Sequence, residues 1–596
     1  MSAVDAITLE VMRNKFEAIA EEMQTTLIRS SYSVVVKEGK DASAAIFTTA
    51  SEMIAGGIAV PGQLGQLYRS VMRILEVFPP ESMSDGDVFL MNDPYDGGSH
   101  LPDVTVVTPV VHDGEVLVVA AAQSHWQDIG GKTAGSIPTD ATELFQEGLV
   151  LPPLQLYHAG KLNEGLVELI RKNVRIPTVV IGDLMGQCAA GAIGKRRFLS
   201  LVEEYGRDVV MGCLDELHDR AERMTRESLA QLPDGRFEFE DFLDNDGVDL
   251  DRKVKIKGAI EKRASDFHVD FTGSDPQVRG PFNCVYGPTI TELRMWVRLI
   301  TDPAIPQNDG AFRMISMDAP EGSVVNPRHP APVNARGTTM IRVADVIQGA
   351  LAKMVPEKIP AAPSGNLQHI SFGGVDPDTG RQWVCSEFSV GGTGGRPTKD
   401  GVDVMDMGIT NIDNVPVEMT EIGYPLRVLR YGLWTGSGGA GRYRGGCGFV
   451  KTYQVLRGQA VVSHRGDRHF VPPWGLMGGK SGRPWKSVIE YADGRTEVVP
   501  SKGVFTLNAG DKLHLYTGGG GGYGDPLDRP VEQVLADYLD GKILLEQIGD
   551  DYGVVLESQD PCVADLRETE RLRARMRKER GPITWKIDRG PELGRE

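Results

Sequence analysis

The stretch His100-Leu101-Pro102-Asp103-Val104-Thr105-Val106-Val107-Thr108-Pro109-Val110-Val111-His112-Asp113-Gly114-Glu115-Val116-Leu117-Val118-Val119-Ala120-Ala121-Ala122-Gln123-Ser124-His125 decides how this chain is read. Asp113-Gly114 between two β-branched runs is the strongest short-range signal for a β-hairpin. An antiparallel hairpin brings its ends together, and counting outward from the turn sets Asp103 within about one residue of facing His125. His100 lies close enough in sequence to fold back over the same end. Two imidazoles and a carboxylate at one open mouth make the ligand set of a divalent metal with vacant positions. Asp128, just past His125, is the candidate to orient a ligating histidine or to accept a proton. Asp and His also end strands merely as caps, and Pro102 and Pro109 weaken a ladder. Polar clusters at both ends of one hairpin favour the metal over that blander reading.

The chain has 596 residues, too many for one hydrophobic core, so about three domains are expected. With 41% hydrophobic and 24% charged residues its composition is that of an ordinary globular protein. A formal charge of −18 argues against nucleic acid or an anionic membrane as partner, since both require basic patches. No apolar run approaches the roughly 20 residues that span a bilayer. The start, Met-Ser-Ala-Val-Asp-Ala, has neither the basic nor the apolar region of a signal peptide. The six cysteines are scattered without a CxxC pair, which excludes a zinc knuckle and a disulfide framework and points to the cytoplasm.

Leu9, Met12, Phe16, Ile19, Met23 and Leu27 recur at helical spacing, so 7–29 is read as an amphipathic helix. Strands are expected at 33–36 and 42–47, a helix over 64–77 and a strand at 87–91 before the hairpin. Residues 177–230 read as helical with a break at Tyr205-Gly206. Strand patterns follow at 236–239 and 266–271, with helices over 290–300 and 338–354. From 365 to 516 the chain is glycine-rich and strand-like, and a charged helical tail closes it, with 589–596 expected to fray. These patterns predict an α+β, multi-domain fold: a helix-rich N-terminal part carrying the metal site (1–232), a mixed part (233–400), a glycine-rich, largely antiparallel β part (401–530) and a helical tail (531–596).

Gly131-Lys132-Thr133 and Gly479-Lys480-Ser481 approach a phosphate-cradling P-loop, but Trp126 and Trp474 stand where its first glycine is needed. The tracts 437–446 and 518–522 are read as tight turns, where glycine supplies positive φ at no steric cost. Arg442 and Arg444 are expected to pair with the abundant acids. The other histidines, His369 among them, are read as isolated polar groups, and the dense run 464–469 as loop beside Pro472-Pro473. No G-x-S-x-G nucleophile elbow accompanies a triad.

Several long motifs resemble signatures of the hydantoinase B/oxoprolinase family. They are Asn92-Asp93-Pro94-Tyr95-Asp96-Gly97-Gly98-Ser99-His100-Leu101-Pro102-Asp103, Ser124-His125-Trp126-Gln127-Asp128-Ile129-Gly130-Gly131, Asp270-Phe271-Thr272-Gly273-Ser274, Pro320-Glu321-Gly322-Ser323-Val324-Val325-Asn326-Pro327 and Gly521-Gly522-Tyr523-Gly524-Asp525-Pro526. The resemblance extends from about residue 7 to about residue 555, nearly the whole chain.

The resemblance implies the B subunit of an ATP-dependent hydantoinase or lactamase, working with an A-type subunit that binds ATP, in agreement with the missing P-loop. It implies Asp41, His100, Asp103 and His125 as ligands of Zn²⁺ or Mn²⁺, less readily of iron. The metal would activate water against an amide that the partner has phosphorylated. Asp41 enters through the resemblance alone. Where many relatives carry His-Leu-Gly after a proline, this chain has Pro61-Gly62-Gln63-Leu64-Gly65, which makes Gln63 a candidate substrate contact. A heterotetramer with two copies of each subunit is also implied. The alternatives are a subunit of an acetone-type ketone carboxylase, whose known members tend to be longer, and a non-catalytic scaffold for the A-type subunit.

Overall fold

The two apolar runs around Asp113-Gly114 pair as an antiparallel hairpin, Asp103–His112 with Glu115–His125, and its register sets Asp103 directly opposite His125. Asp113 (φ 50°) and Gly114 (φ 82°) both take positive φ, as a tight hairpin turn of this hand requires. The computed structural model describes residues 5–58, 60–405 and 408–596. The hairpin is the centre of a seven-stranded antiparallel sheet, in the order Met53–Gly56, Ala42–Thr48, Glu115–His125, Asp103–His112, Val88–Met91, Leu154–His158, Lys161–Leu162.

Both faces of this sheet are covered, which explains why its strands read as unbroken apolar runs rather than alternating ones. Ala42, Ala44, Ile46, Ala120 and Ala122 face the helices Ala6–Ser30 and Pro177–Tyr205. Ala45, Phe47, Val119 and Ala121 face the helix Pro61–Val77. The expected break at Tyr205-Gly206 is real, with a second helix at Arg207–Ala230. The expected strand at 33–36 is instead a single helical turn, Val34–Lys37. Ser33 starts it by accepting the Val36 amide on its hydroxyl at 3.3 Å, a cap that overrides the β preference of three valines.

A four-stranded sheet (Gly235–Leu243, Val254–Arg263, Asp266–Asp270, Ile315–Asp318) then packs on the helices Tyr286–Ile300 and Arg336–Met354. Next comes a β-sandwich. Its inner strands Gln368–Val375 and Gln459–Arg465 pair with each other, and Ile370, Phe372 and Val462 meet Tyr453, Leu513 and Leu515 of the facing five-stranded sheet. The expected division at 400/401 therefore runs through one sheet. Helices Val531–Leu539, Leu545–Asp550 and Leu566–Arg580 follow. The tail does not fray: Ile587–Asp588 pairs with Gly475–Leu476, and Arg589 is 5% exposed. Among the described residues no helix is long and apolar enough to cross a membrane.

The glycine tracts correct the turn reading. None of Gly518–Gly522 has φ in the left-handed region. The segments 391–395, 437–446, 479–482 and 518–522 lie side by side, joined by backbone hydrogen bonds. Gly520 donates to the Gly446 carbonyl at 2.9 Å, Gly439 to that of Gly520 at 2.8 Å and Gly392 to that of Gly518 at 3.0 Å. A Cβ on Gly520 would lie 2.0 Å from the Thr393 carbonyl oxygen, and one on Gly445 would lie 2.0 Å from that of Gly520. Glycine is needed here for close approach of backbones, as at a collagen axis, and not for turning. Gly520→Ala is therefore expected to destabilise by at least the upper end of the about 1–3 kcal/mol that overpacking costs. Gly503→Ala, with nothing within 4 Å of its Cβ, should be silent. Urea unfolding of the two variants beside wild type checks this.

Candidate metal centre

Three distant parts of the chain meet at the open end of the hairpin. Asp103 and His125 come from the facing strand ends, and the neighbouring strand end brings Asp41, whose carbonyl accepts the His125 amide at 3.1 Å. The helix Arg336–Met354 begins there, and strand Gln459–Arg465 contributes Arg465. Together they line a cavity of about 50 Å³, with Gln63, His100, Gly337, Met340 and Phe388 also in its wall.

One donor atom each from His100, Asp103 and His125 lies within 4.8 Å of the others, and all three residues are buried. His100 Nε2 stands 3.0 Å from Asp103 Oδ1, and His125 Nδ1 stands 3.3 Å from the same oxygen. Atoms that share a divalent cation sit about 3 Å apart when each is about 2.1 Å from it at a right angle.

The hydrogen bonds around the triad fix which atoms face inward. His100 Nδ1 is 3.1 Å from the Asn334 carbonyl, which can only accept, so Nδ1 carries the hydrogen and Nε2 a lone pair. Burial, reinforced by the Arg336 cation, lowers the His100 pKa to about 3, so the ring is neutral. Asp103 Oδ2 accepts from Ser99 Oγ at 2.6 Å, from Gln66 Nε2 at 3.2 Å and from Arg336, which turns Oδ1 toward the histidines. Burial alone would raise the Asp103 carboxyl, but the Arg336 cation in contact with it works the other way and the group is held well below the usual range. A lone pair on Nε2 thus opposes an anionic oxygen at 3.0 Å, and Nε2 has no hydrogen-bond partner among the described residues. Two electron-rich atoms at that separation repel unless a cation lies between them. The donor set fits a divalent metal.

Asp41 lines the same cavity but stands outside the 4.8 Å cluster. Its Oδ1 accepts Gln63 Nε2 at 2.7 Å, so Gln63 is engaged in holding Asp41. Asp128 does not join the site. Its Oδ1 accepts the Gly130 and Arg175 amides at 3.1 and 2.9 Å, and its Oδ2 accepts the Gly135 amide at 3.2 Å and Arg175 Nη1 at 3.0 Å. With both oxygens spent on the loop after the hairpin, Asp128 is a structural carboxylate, which corrects the orienting or proton-accepting role expected for it.

Three residues at the site escaped the sequence reading. Arg336 and Arg465 line the cavity, and burial lowers the Arg465 pKa to about 9 with Arg336 adding to the effect. His369 is the third. Its ring lies 5.6 Å from that of His125 and 4.3 Å from that of Phe388, and neither of its nitrogens has a partner among the described residues. It is not the satisfied polar group expected. Strand register sets Phe388, His369 and Arg465 in one cross-strand row. The run 464–469 is likewise more than loop: it supplies Arg465 here and Asp467 and Arg468 to a buried ion network. The pairing expected for Arg444 is found, with Asp403 at 3.0 Å.

Glu147 steadies the segment that anchors His100, accepting the Asn334 amide at 2.8 Å and that of Val333 at 3.1 Å. Burial pushes its carboxyl up to about 8 in spite of those two donors. The folded chain thus keeps a proton that the unfolded chain, with the carboxyl near its ordinary 4.5, releases. The stability this contributes is complete below pH 4.5 and is lost as pH rises through 8. Burial raises Asp345 to about 7 and Asp244 to about 6 with the same sign. Resistance to urea should therefore decline between about pH 5 and 8, by at most about 1.4 kcal/mol per pH unit for each group. Glu147→Gln should flatten that slope, as midpoints measured at a series of pH values would reveal.

Comparison with known proteins gives the class. Residues 5–526 match the Hydantoinase B/oxoprolinase family, and the chain belongs to it. It is 32% identical over 568 residues to the caprolactamase subunit beta of Pseudomonas jessenii, a match covering 94% of this chain and 97% of that one. The crystal structure of the ATP-dependent caprolactamase from the same organism superposes with a TM-score of 0.89 at 31% identity, over 96% of this chain and 100% of that one. A nucleotide-free acetone carboxylase shares the fold, with a TM-score of 0.89 at 20% identity over 97% of this chain and 83% of that one.

Proposed function

We propose that this chain is the metal-dependent hydrolytic subunit of a two-component, ATP-dependent cyclic amidase that opens a hydantoin or a lactam. The observation that carries the reading is the opposition of the His100 Nε2 lone pair and Asp103 Oδ1 at 3.0 Å in a buried cavity, a contact that calls for a cation. The β-subunit name and the ATP dependence of the caprolactamase relative support an A-type partner that binds ATP. That partner phosphorylates the amide oxygen. Water is consumed as the ring opens, and amino acid or ureido acid, ADP and phosphate are released.

His100, Asp103 and His125, with Asp41 as the fourth candidate ligand, hold Zn²⁺ or Mn²⁺, with iron a less favoured occupant. The cation, when bound, supplies Lewis acidity and lowers the pKa of a water. Ser99, Gln66 and Arg336 keep Asp103 aimed at it, Asn334 fixes the His100 tautomer, and Gln63 holds Asp41 while lining the space open to substrate. The enzyme works in the cytoplasm as a heterotetramer of two copies of each subunit.

The test is ATP turnover by the reconstituted pair. Hydantoins or lactams are expected to stimulate it and to yield ring-opened acid, whereas acetone with bicarbonate is not. ATP use coupled only to the ketone would make this a carboxylase subunit. Full activity from a chain without stoichiometric metal would make it a scaffold for its partner.

A further inference from the structure

Two features of the cavity are unused once the cation ligands are assigned. The 19-residue helix Arg336–Met354 begins at the cavity wall, and among the described residues no side chain caps it. A helix start carries partial positive charge. Here the Val333 and Ala335 carbonyls accept the Arg336 and Thr338 amides at 2.9 and 3.1 Å, and among the described residues no backbone carbonyl before the helix takes the Gly337 amide. That alone is commonplace, but here a buried cation is aimed at the same space. Arg465 is 4% exposed. Its Nη1 donates to the Asn334 carbonyl at 3.1 Å, and its Nε has no partner among the described residues. Its Nη2 lies 3.9 Å from the point a Cβ would occupy on Gly337, and apart from the flanking residues and the helix's own backbone no other heavy atom of the described residues lies within 4 Å of that point. The room in front of the first helical turn is therefore open, and the guanidinium borders it.

Charge counting sets what the room is for. Arg336 and Arg465 balance Asp41 and Asp103, and an imidazole that binds a metal does so in its neutral form. The divalent cation of the function proposed above, on which this step rests, would leave two positive charges uncompensated in a buried space, a costly state. A dianion restores neutrality. A phosphoryl group has that charge and offers three oxygens to a helix start and a guanidinium at once. A carboxylate has half the charge and two oxygens.

We propose that Gly337, at the start of the helix, and Arg465 form a receptor for a phosphoryl dianion, the group borne by an ATP-activated substrate, beside the candidate metal ligands. The lack of a side chain at Gly337 keeps the receptor open, and Arg465 closes its far side.

The experiment is calorimetric titration of inorganic phosphate into the full-length chain, both cation-loaded and chelator-treated. Wild type is expected to bind in both states, more tightly when loaded. Arg465→Met should weaken binding at least tenfold in either state with metal content unchanged. Gly337→Ala should weaken it as well by filling the room. Because alanine favours the helix, this variant should melt no lower than wild type, which separates the effect from misfolding. Acetate should not compete. Wild-type affinity in both variants, no phosphate binding in either state, or equal competition by acetate would each overturn the receptor. Its fate is separable from that of the enzyme reading. Amide hydrolysis by the pair with phosphate affinity blind to Arg465 would remove the receptor alone. Arg465-dependent phosphate binding in a pair that opens no cyclic amide would remove the hydrolase alone.

Discussion

His125→Ala and His100→Ala are each expected to release the bound divalent cation and to lower ATP-coupled ring opening by roughly 10³-fold or more. That factor equals about 4 kcal/mol of lost transition-state stabilisation, the scale on which a catalytic metal acts. The two should behave alike. Asp103 Oδ1 sits 3.0 Å from one imidazole and 3.3 Å from the other, so removing either leaves the remaining donors too few to hold the ion. Folding should survive, because neither ring bridges structural elements by more than one hydrogen bond. Elemental analysis of protein purified without chelator, run beside the coupled assay, decides the matter. Stoichiometric metal and full turnover in the double variant would sink the metal centre. Asp128→Asn is the informative contrast: it should keep the metal and lose stability, because its loop loses the Arg175 ion pair.

Arg342→Met should cost about 3–5 kcal/mol of folding stability, the usual penalty for stranding one side of a buried ion pair. Arg342 is fully buried and meets Asp345 at 2.7 Å and Asp467 at 2.7 Å. Asp345 and Asp241 also hold Arg468, at 2.6 and 2.7 Å, and Lys502 reaches Asp467 at 2.8 Å. The network ties the four-stranded sheet, the site helix and the β-sandwich together, and Arg589 extends it to the C-terminal tail. Methionine fills much the same volume, so the loss would reflect the stranded carboxylates rather than a cavity. Unfolding midpoints in urea report it. A change below about 1 kcal/mol would mean that water reaches the network and screens it. The same helix begins at the cation site, so the variant should also loosen Arg336 and weaken metal retention.

The hairpin and its register could be read directly from residues 100–125, because alternation, β-branching and an Asp-Gly turn are properties of neighbours in sequence. The long helices were legible on the same ground, from the spacing of Leu9 to Leu27 and the glycine at 206. The turn at 34–37 was misread because one capping hydroxyl outweighs the preference of three valines. Asp41 needed the family likeness. It reaches the site as an adjacent strand end, and nothing near it in sequence marks that strand as the hairpin's neighbour. The glycine tracts were visible as composition, but composition cannot tell a turn from a bundle. Contacts such as Gly520 with Thr393 decide between them.

Local chemistry was thus enough to specify an α+β chain and its strand-end metal candidates. Packing alone could bring Arg336, Arg465 and His369 to that end of the sheet, turn Asp128 away from it and leave the front of Gly337 open. The reason is one of range. Periodicity and turn preference act over a few bonds, whereas the balance of charge in a buried cavity depends on which distant helix starts at its wall and which strand faces it.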